Sequence, residues 1–116
     1  MACTRPRMRI ETDIPAELLS HSLSDREIVL KYPAVISIIR RLPEFGLRAL
    51  GWEGWLRYPD GQVGHSSVHQ GTVDLSDLPP EEAAEVCIST ITQAHAEAMQ
   101  QPGVAELYFC LTTDAA

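Results

Sequence analysis

Apolar and polar residues alternate along the stretch 50–75, LGWEGWLRYPDGQVGHSSVHQGTVDL, and this pattern predicts a long β-hairpin. The turn is predicted at Tyr58-Pro59-Asp60-Gly61. Proline fixes φ at the second position of the turn, and glycine accepts the left-handed conformation that follows a type I turn. The hairpin carries both tryptophans of the chain, so the face on which each indole lies determines whether it is buried or exposed.

The side chains of the first predicted strand divide between two faces, because successive residues of a strand point in opposite directions. One face carries Trp52, Gly54, Leu56 and Tyr58, and the other carries Glu53, Trp55 and Arg57. The two tryptophans are three residues apart and therefore face opposite ways. One indole is expected in the core, while the other is available for a different role.

A helical periodicity covers residues 80–101. Its apolar stripe consists of Ala84, Cys87, Ile88, Ile91, Ala94, Ala98 and Met99. Pro79-Pro80 opens this helix and Pro102-Gly103 ends it. The stretch 104–112 that follows is nearly all apolar, which predicts a strand buried on both faces near the middle of a sheet.

The region 24–42 gives a mixed pattern. Ser24-Asp25-Arg26-Glu27 has the form of a capping box, and Pro33 interrupts the apolar positions that follow it. We favour a broken helix here, with an extended segment over 27–32 as the alternative. Before this region, residues 8–12 alternate like a short strand and residues 13–19 are typical of one or two helical turns.

The order strand, helix, hairpin, helix, strand predicts an α+β fold, in which a single layer of three or four mostly antiparallel strands is covered by two main helices. The same order, βαββαβ, is that of ferredoxin-like domains. That topology places the third strand centrally, whereas the polar stretch 64–71 is typical of an edge. The length of 116 residues predicts one domain over 1–116, with residues 1–7 flexible.

The net charge of −7 comes from 16 acidic against 9 basic residues, and no lysine or arginine follows Arg57. This balance argues against a nucleic-acid partner and suits a partner with a basic face. No apolar run is long enough for a membrane span and no secretory signal is present, so we expect a cytoplasmic protein with no membrane association. Three cysteines, Cys3, Cys87 and Cys110, predict buried reduced thiols rather than a disulfide framework.

The sequence contains no convincing catalytic or cofactor motif. His65 and His69 have the HxxxH spacing, but in a strand four residues span about 13 Å, too far for two imidazoles to share a zinc ion. Ser66 and Ser67 lack the elbow of a nucleophilic serine, and no glycine-rich phosphate loop is present. We therefore predict no catalytic residue, no metal and no cofactor.

The leading hypothesis is a small acidic protein-binding module without enzymatic activity, such as an inhibitor of the antitoxin or immunity type that docks on a basic partner. Aromatic residues and arginine are enriched at interface hot spots. The predicted partner-binding residues are Trp52, Glu53, Trp55, Arg57, Tyr58, Asp74 and Asp77. The alternative is a ligand-binding protein or enzyme, dimeric, with a pocket lined by His65, His69 or His95. Either function is compatible with a homodimer.

Overall fold

The computed structural model describes residues 22–24, 27–71, 74–100, 103 and 105–115. The strands are β1 (Ile28–Leu30), β2 (Leu47–Arg57), β3 (Val63–His65) and β4 (Glu106–Ala115), and the helices are α1 (Ala34–Arg41) and α2 (Pro80–Gln100). A 3-10 turn, Leu42–Phe45, joins α1 to β2. The predictions for residues 1–7, 8–12 and 13–19 lie outside the described residues.

The four strands form one antiparallel sheet in the order β1-β4-β2-β3. Both helices contribute apolar side chains to the cluster that covers one face of this sheet, which confirms the predicted α+β class. The chain order is βαββαβ as expected. The spatial order differs from the ferredoxin-like one, because β3 lies at the edge of the sheet and the centre is formed by β4 and β2.

The core lies between the two helices and the inner face of the sheet. It contains Trp52, Phe109 and Leu111 from the strands and Cys87 and Ile91 from α2, all of them buried. β4 is central, and its residues 108–111 are buried on both faces as the continuous apolar run predicts. The predicted stripe of α2 holds except at its end, where Met99 is 68% exposed.

The favoured broken helix over 25–42 is wrong in its first half. Residues 28–30 form β1, which is the extended alternative, and the helix begins only after Pro33. The Ser24 hydroxyl does accept the Glu27 N–H at 3.1 Å, but the residues that follow Glu27 form the strand β1 and not a helix. A serine that accepts the N–H three residues later stabilises a tight turn as well as a helix start, so the sequence pattern does not separate the two.

The predicted hairpin is confirmed for β2 and the turn. Gly61 has φ +90°, and its N–H donates to the Tyr58 carbonyl at 2.8 Å. The return strand is much shorter than predicted, because β3 ends at His65. At the start of β2, Leu50 is an extra residue in the ladder with β4, so the inward-facing positions change from odd to even numbers there.

The segment after β3 runs along the edge of β2 without forming a regular ladder. The Ser66 N–H donates to the Gly54 carbonyl at 2.9 Å, and the Gly54 N–H donates to the His69 carbonyl at 3.0 Å. Between these two bonds, the buried Ser66 hydroxyl accepts the His69 N–H at 3.0 Å and closes a tight turn. This turn fixes the segment against β2 and decides where the two histidines point.

Candidate protein-binding surface

The sheet has a second, outer face turned away from the helices, and a row of side chains crosses it. Tyr108 of β4 is opposite Trp55 of β2, and Trp55 is opposite His65 of β3. Lys31, which follows β1, extends the row, with Nζ 5.7 Å from the centre of the Tyr108 ring. The rings of Trp55 and His65 lie 5.6 Å apart. The row therefore joins two aromatic residues and an imidazole side by side, with a cation at one end.

Glu53 lies beside this row with a carboxylate that is largely buried, its side chain being 15% exposed. Its Oε2 is 3.4 Å from Nδ1 of His65, and the indole Nε1–H of Trp55 donates to its Oε1 at 3.4 Å. Both separations are long for hydrogen bonds, so each contact orients the carboxylate only weakly. Glu53 nevertheless provides a negative charge next to the indole and the imidazole.

Charged side chains flank the other side of the row. Nζ of Lys31 donates to Oε2 of Glu106 at 2.9 Å, and this bond lowers the pKa of Glu106 and raises the pKa of Lys31. Nη1 of Arg57 donates to the hydroxyl of Tyr108 at 3.5 Å, a bond that raises the pKa of the guanidinium further above its usual value. The Lys31–Glu106 pair is exposed, so it contributes little stability. Together with Arg57 it places both signs of charge around the aromatic row.

Exposure on the outer face increases toward the hairpin turn. Val29 and Cys110 are fully buried and Tyr108 is nearly so. The other end is open: Trp55 is partly exposed, while Arg57, Tyr58, Val63 and His65 are exposed. We call these five residues the hairpin-end surface. A partly exposed indole among charged groups and exposed apolar side chains is typical of a docking surface.

Three of the predicted binding residues lie elsewhere. Trp52 is buried in the core, where its indole N–H donates to the Thr90 hydroxyl at 2.8 Å and its ring meets Phe109 edge-on. Asp74 and Asp77 belong to the loop before α2, which is held near the start of β2 by the bond from the Leu75 N–H to the Leu50 carbonyl. This loop lies at the opposite end of β2 from the hairpin turn. The predicted site is therefore reduced to Glu53, Trp55, Arg57 and Tyr58.

The three histidines of the alternative hypothesis do not share a pocket. His65 is on the outer face beside Glu53, and His69 lies next to α2 with Nδ1 3.9 Å from Oε1 of Glu97. His95 stacks on Tyr32 at 4.2 Å. The turn at Ser66 separates His65 from His69, because it carries the chain around the edge of β2.

His69 does line a groove of about 400 Å³ between the C-terminal half of α2 and the inner face of the sheet at the hairpin end. We call it the His69 groove. The residues that line it include Leu56, Leu107, Ala98, Val68 and Glu97. The alternative hypothesis expected a pocket lined by His65, His69 or His95, and of these three histidines His69 lines this groove.

Cys110 lies on the outer face opposite Glu53 and is disulfide-bonded. The prediction of a reduced thiol is therefore wrong at Cys110, while Cys87 is a buried thiol outside any disulfide, as predicted. An odd number of cysteines excludes a complete framework of disulfides, but it leaves room for one bond.

Zinc is expected not to bind through His65 and His69. Among the described residues, no three histidine, cysteine or acidic side chains are grouped closely enough to hold a metal ion. Zinc chloride should therefore shift the melting temperature of the wild type no more than that of the His65→Ala and His69→Ala variants. A stoichiometric, micromolar zinc affinity that either substitution abolishes would contradict the observed turn at Ser66.

Comparison with protein-family models, with characterised proteins and with solved structures finds no match for this chain. In the part of the chain that the structure describes, no helix has both the length and the apolar character needed to cross a membrane. The fold and the two surfaces described above are therefore the basis for inferring a function.

Proposed function

We propose that this chain is a protein-binding module that docks on a basic partner through the hairpin-end surface, and that it acts as an inhibitor of the antitoxin or immunity type. The observation that carries the proposal is Trp55, whose indole is partly exposed on the face of the sheet opposite α1 and α2. Burying a large aromatic side chain contributes about 1.5–3 kcal/mol, so an indole left partly in water favours a role in binding.

The surroundings of Trp55 support a polar, specific interface. Glu53 and His65 lie on one side of the indole and Arg57 on the other, so an apolar centre has a charged rim, as in many non-obligate interfaces. The net charge of −7 would accelerate encounter with a basic partner. Added salt should accordingly slow association more than it speeds dissociation.

Site-specific crosslinking tests this surface. A photoreactive phenylalanine analogue in place of Tyr58 should crosslink to a basic protein from the native host, because Tyr58 is 41% exposed at the hairpin end. The same analogue at Ala96, exposed on α2, is the matched control and should give little of this product. Equal crosslinking from both positions, or a product formed only from Ala96, would contradict docking through the hairpin end. The purified partner should also lose its activity when it is bound.

The second candidate is a small-ligand-binding protein or enzyme, and the observation in its favour is the His69 groove, whose volume suits a small molecule. The buried hydroxyl of Ser66 already accepts the backbone N–H of His69, so its position is explained by the turn. A binding role for this groove is thus better supported than covalent catalysis.

The cytoplasmic location inferred from the sequence remains a prediction. The disulfide at Cys110 weighs against it, because disulfides persist mainly in oxidising compartments.

A further inference from the structure

The His69 groove has fixed walls. One wall is the turn 66–69, which is hydrogen-bonded to both the carbonyl and the N–H of Gly54 in β2. The opposite wall is α2, and the floor is formed by Leu56 and Leu107, which pair across β2 and β4. A groove between regular elements and a bonded turn keeps its shape without a ligand, as most binding sites do.

The chemistry of the groove is apolar along its length and negative at one point. Among the described residues that line it, Glu97 is the only acidic one, and no lysine or arginine is present. Its Oε2 accepts a bond from the Gln93 side chain at 3.2 Å, and its Oε1 is turned toward His69 at 3.9 Å. The second distance is beyond hydrogen-bond range, and a carboxylate has about four acceptor positions, so Glu97 can accept further donors.

We propose that the His69 groove receives a lysine or arginine side chain of the partner, with the aliphatic stem along Leu56, Leu107 and Ala98 and the charged group at Glu97. Long basic side chains combine an apolar stem with a cationic end. The stem matches the apolar lining of the groove, and the cationic end matches the carboxylate of Glu97. This inference rests on the proposed function for the identity of the partner. Leu56 lines the groove on the inner face of the sheet, and its neighbours Trp55 and Arg57 in β2 lie on the outer face. A partner that contacts the hairpin end can therefore reach both faces in one interface.

The chemistry of the groove can be tested without the partner. The probes are n-hexylammonium, n-hexanol and n-hexanoate, titrated into the full chain and followed by NMR at Ala98 and Leu107. Hexylammonium should bind about fivefold more tightly than hexanol, since an exposed ion pair contributes up to about 1 kcal/mol, and hexanoate should bind most weakly. Glu97→Gln should reduce the affinity for hexylammonium to that for hexanol.

The matched control is Glu85→Gln, which removes an exposed carboxylate from the same helix outside the groove and should keep the preference for ammonium. The proposal is overturned if hexylammonium and hexanol bind equally, if neither perturbs the groove, or if Glu97→Gln has no effect. Dimerisation of the chain that masks Leu107 would also overturn it, because the occupant would then be a second copy.

A separate measurement distinguishes this inference from the proposed function. With the partner obtained by crosslinking, Glu97→Gln should weaken binding about fivefold, while Glu85→Gln should have a much smaller effect. If Trp55→Ala weakens binding and Glu97→Gln does not, docking through the hairpin end stands and the role of the groove is refuted. If neither substitution matters, the proposed function itself fails.

Discussion

Replacing Ile91 by aspartate is expected to unfold the domain. Ile91 lies in the middle of α2 and is fully buried in the cluster that contains Trp52 and Phe109. A carboxylate there would have no partner in the core, and an unpaired buried polar group or charge costs several kcal/mol, against a total stability of about 5–15 kcal/mol for a small domain. Circular dichroism should show loss of the native signal at 25 °C, and a temperature scan should show no cooperative transition.

The control for this substitution is Thr92→Asp, which places the same residue at the next, exposed position of α2. Its melting temperature should stay within a few degrees of the wild type, because surface substitutions usually change stability by less than about 0.5 kcal/mol. If the melting temperature of Ile91→Asp equalled that of Thr92→Asp, the assignment of the α2 face that packs on the core would be wrong.

Replacing Gly54 by alanine is expected to lower the free energy of unfolding by about 1–3 kcal/mol, the usual cost of forcing an extra group into a packed site. A Cβ at this position would overlap the backbone carbonyl oxygen of His69. The clash would push the turn 66–69 away and weaken the bond that the Gly54 N–H donates to that carbonyl. The melting temperature should fall by roughly 5–15 °C.

Gly64→Ala is the matched substitution, since Gly64 is opposite Leu56 in β3 and a Cβ there would meet nothing within 4 Å. Its stability should change little or rise slightly, because alanine restricts the unfolded chain. Equal melting temperatures for the two variants would mean that the segment 66–69 does not pack against β2 as described.

Periodic patterns predicted the parts of the fold where local sequence and tertiary packing agree. Except for Met99, the stripe of α2 and the apolar run of β4 lie on the core side or in the centre of the sheet, as their spacing indicates. The division of Trp52 and Trp55 between two faces also follows from alternation alone.

The elements that could not be predicted depend on contacts that are distant in sequence. β1 has only three residues and exists because it pairs with β4 at residues 109–111, a contact that no local pattern reveals. β3 ends at His65 because the Ser66 hydroxyl closes a tight turn there. The alternation of residue types along this segment instead predicts that the strand continues. Met99 satisfies the helical spacing but extends past the core, so it stays exposed.

The candidate surface was predicted only in part, because some of its residues come together through contacts that are distant in sequence. Glu53, Trp55 and Arg57 are alternate residues of one strand, and a strand places them on one face. Tyr108 and Lys31 join them only through the pairing of β4 with β2 and β1, which the sequence order does not specify. Asp74 and Asp77 were included on charge alone, and charge does not determine position.

The most direct test of docking through the hairpin end is the affinity of the purified, crosslink-identified partner for Trp55→Ala, measured by calorimetry well below the melting temperature. The control is Phe45→Ala, which removes another partly buried aromatic side chain at the far end of β2. We predict that Trp55→Ala weakens binding at least tenfold, or ~1.4 kcal/mol, while Phe45→Ala leaves it unchanged. A dissociation constant for Trp55→Ala equal to that of the wild type would contradict the account.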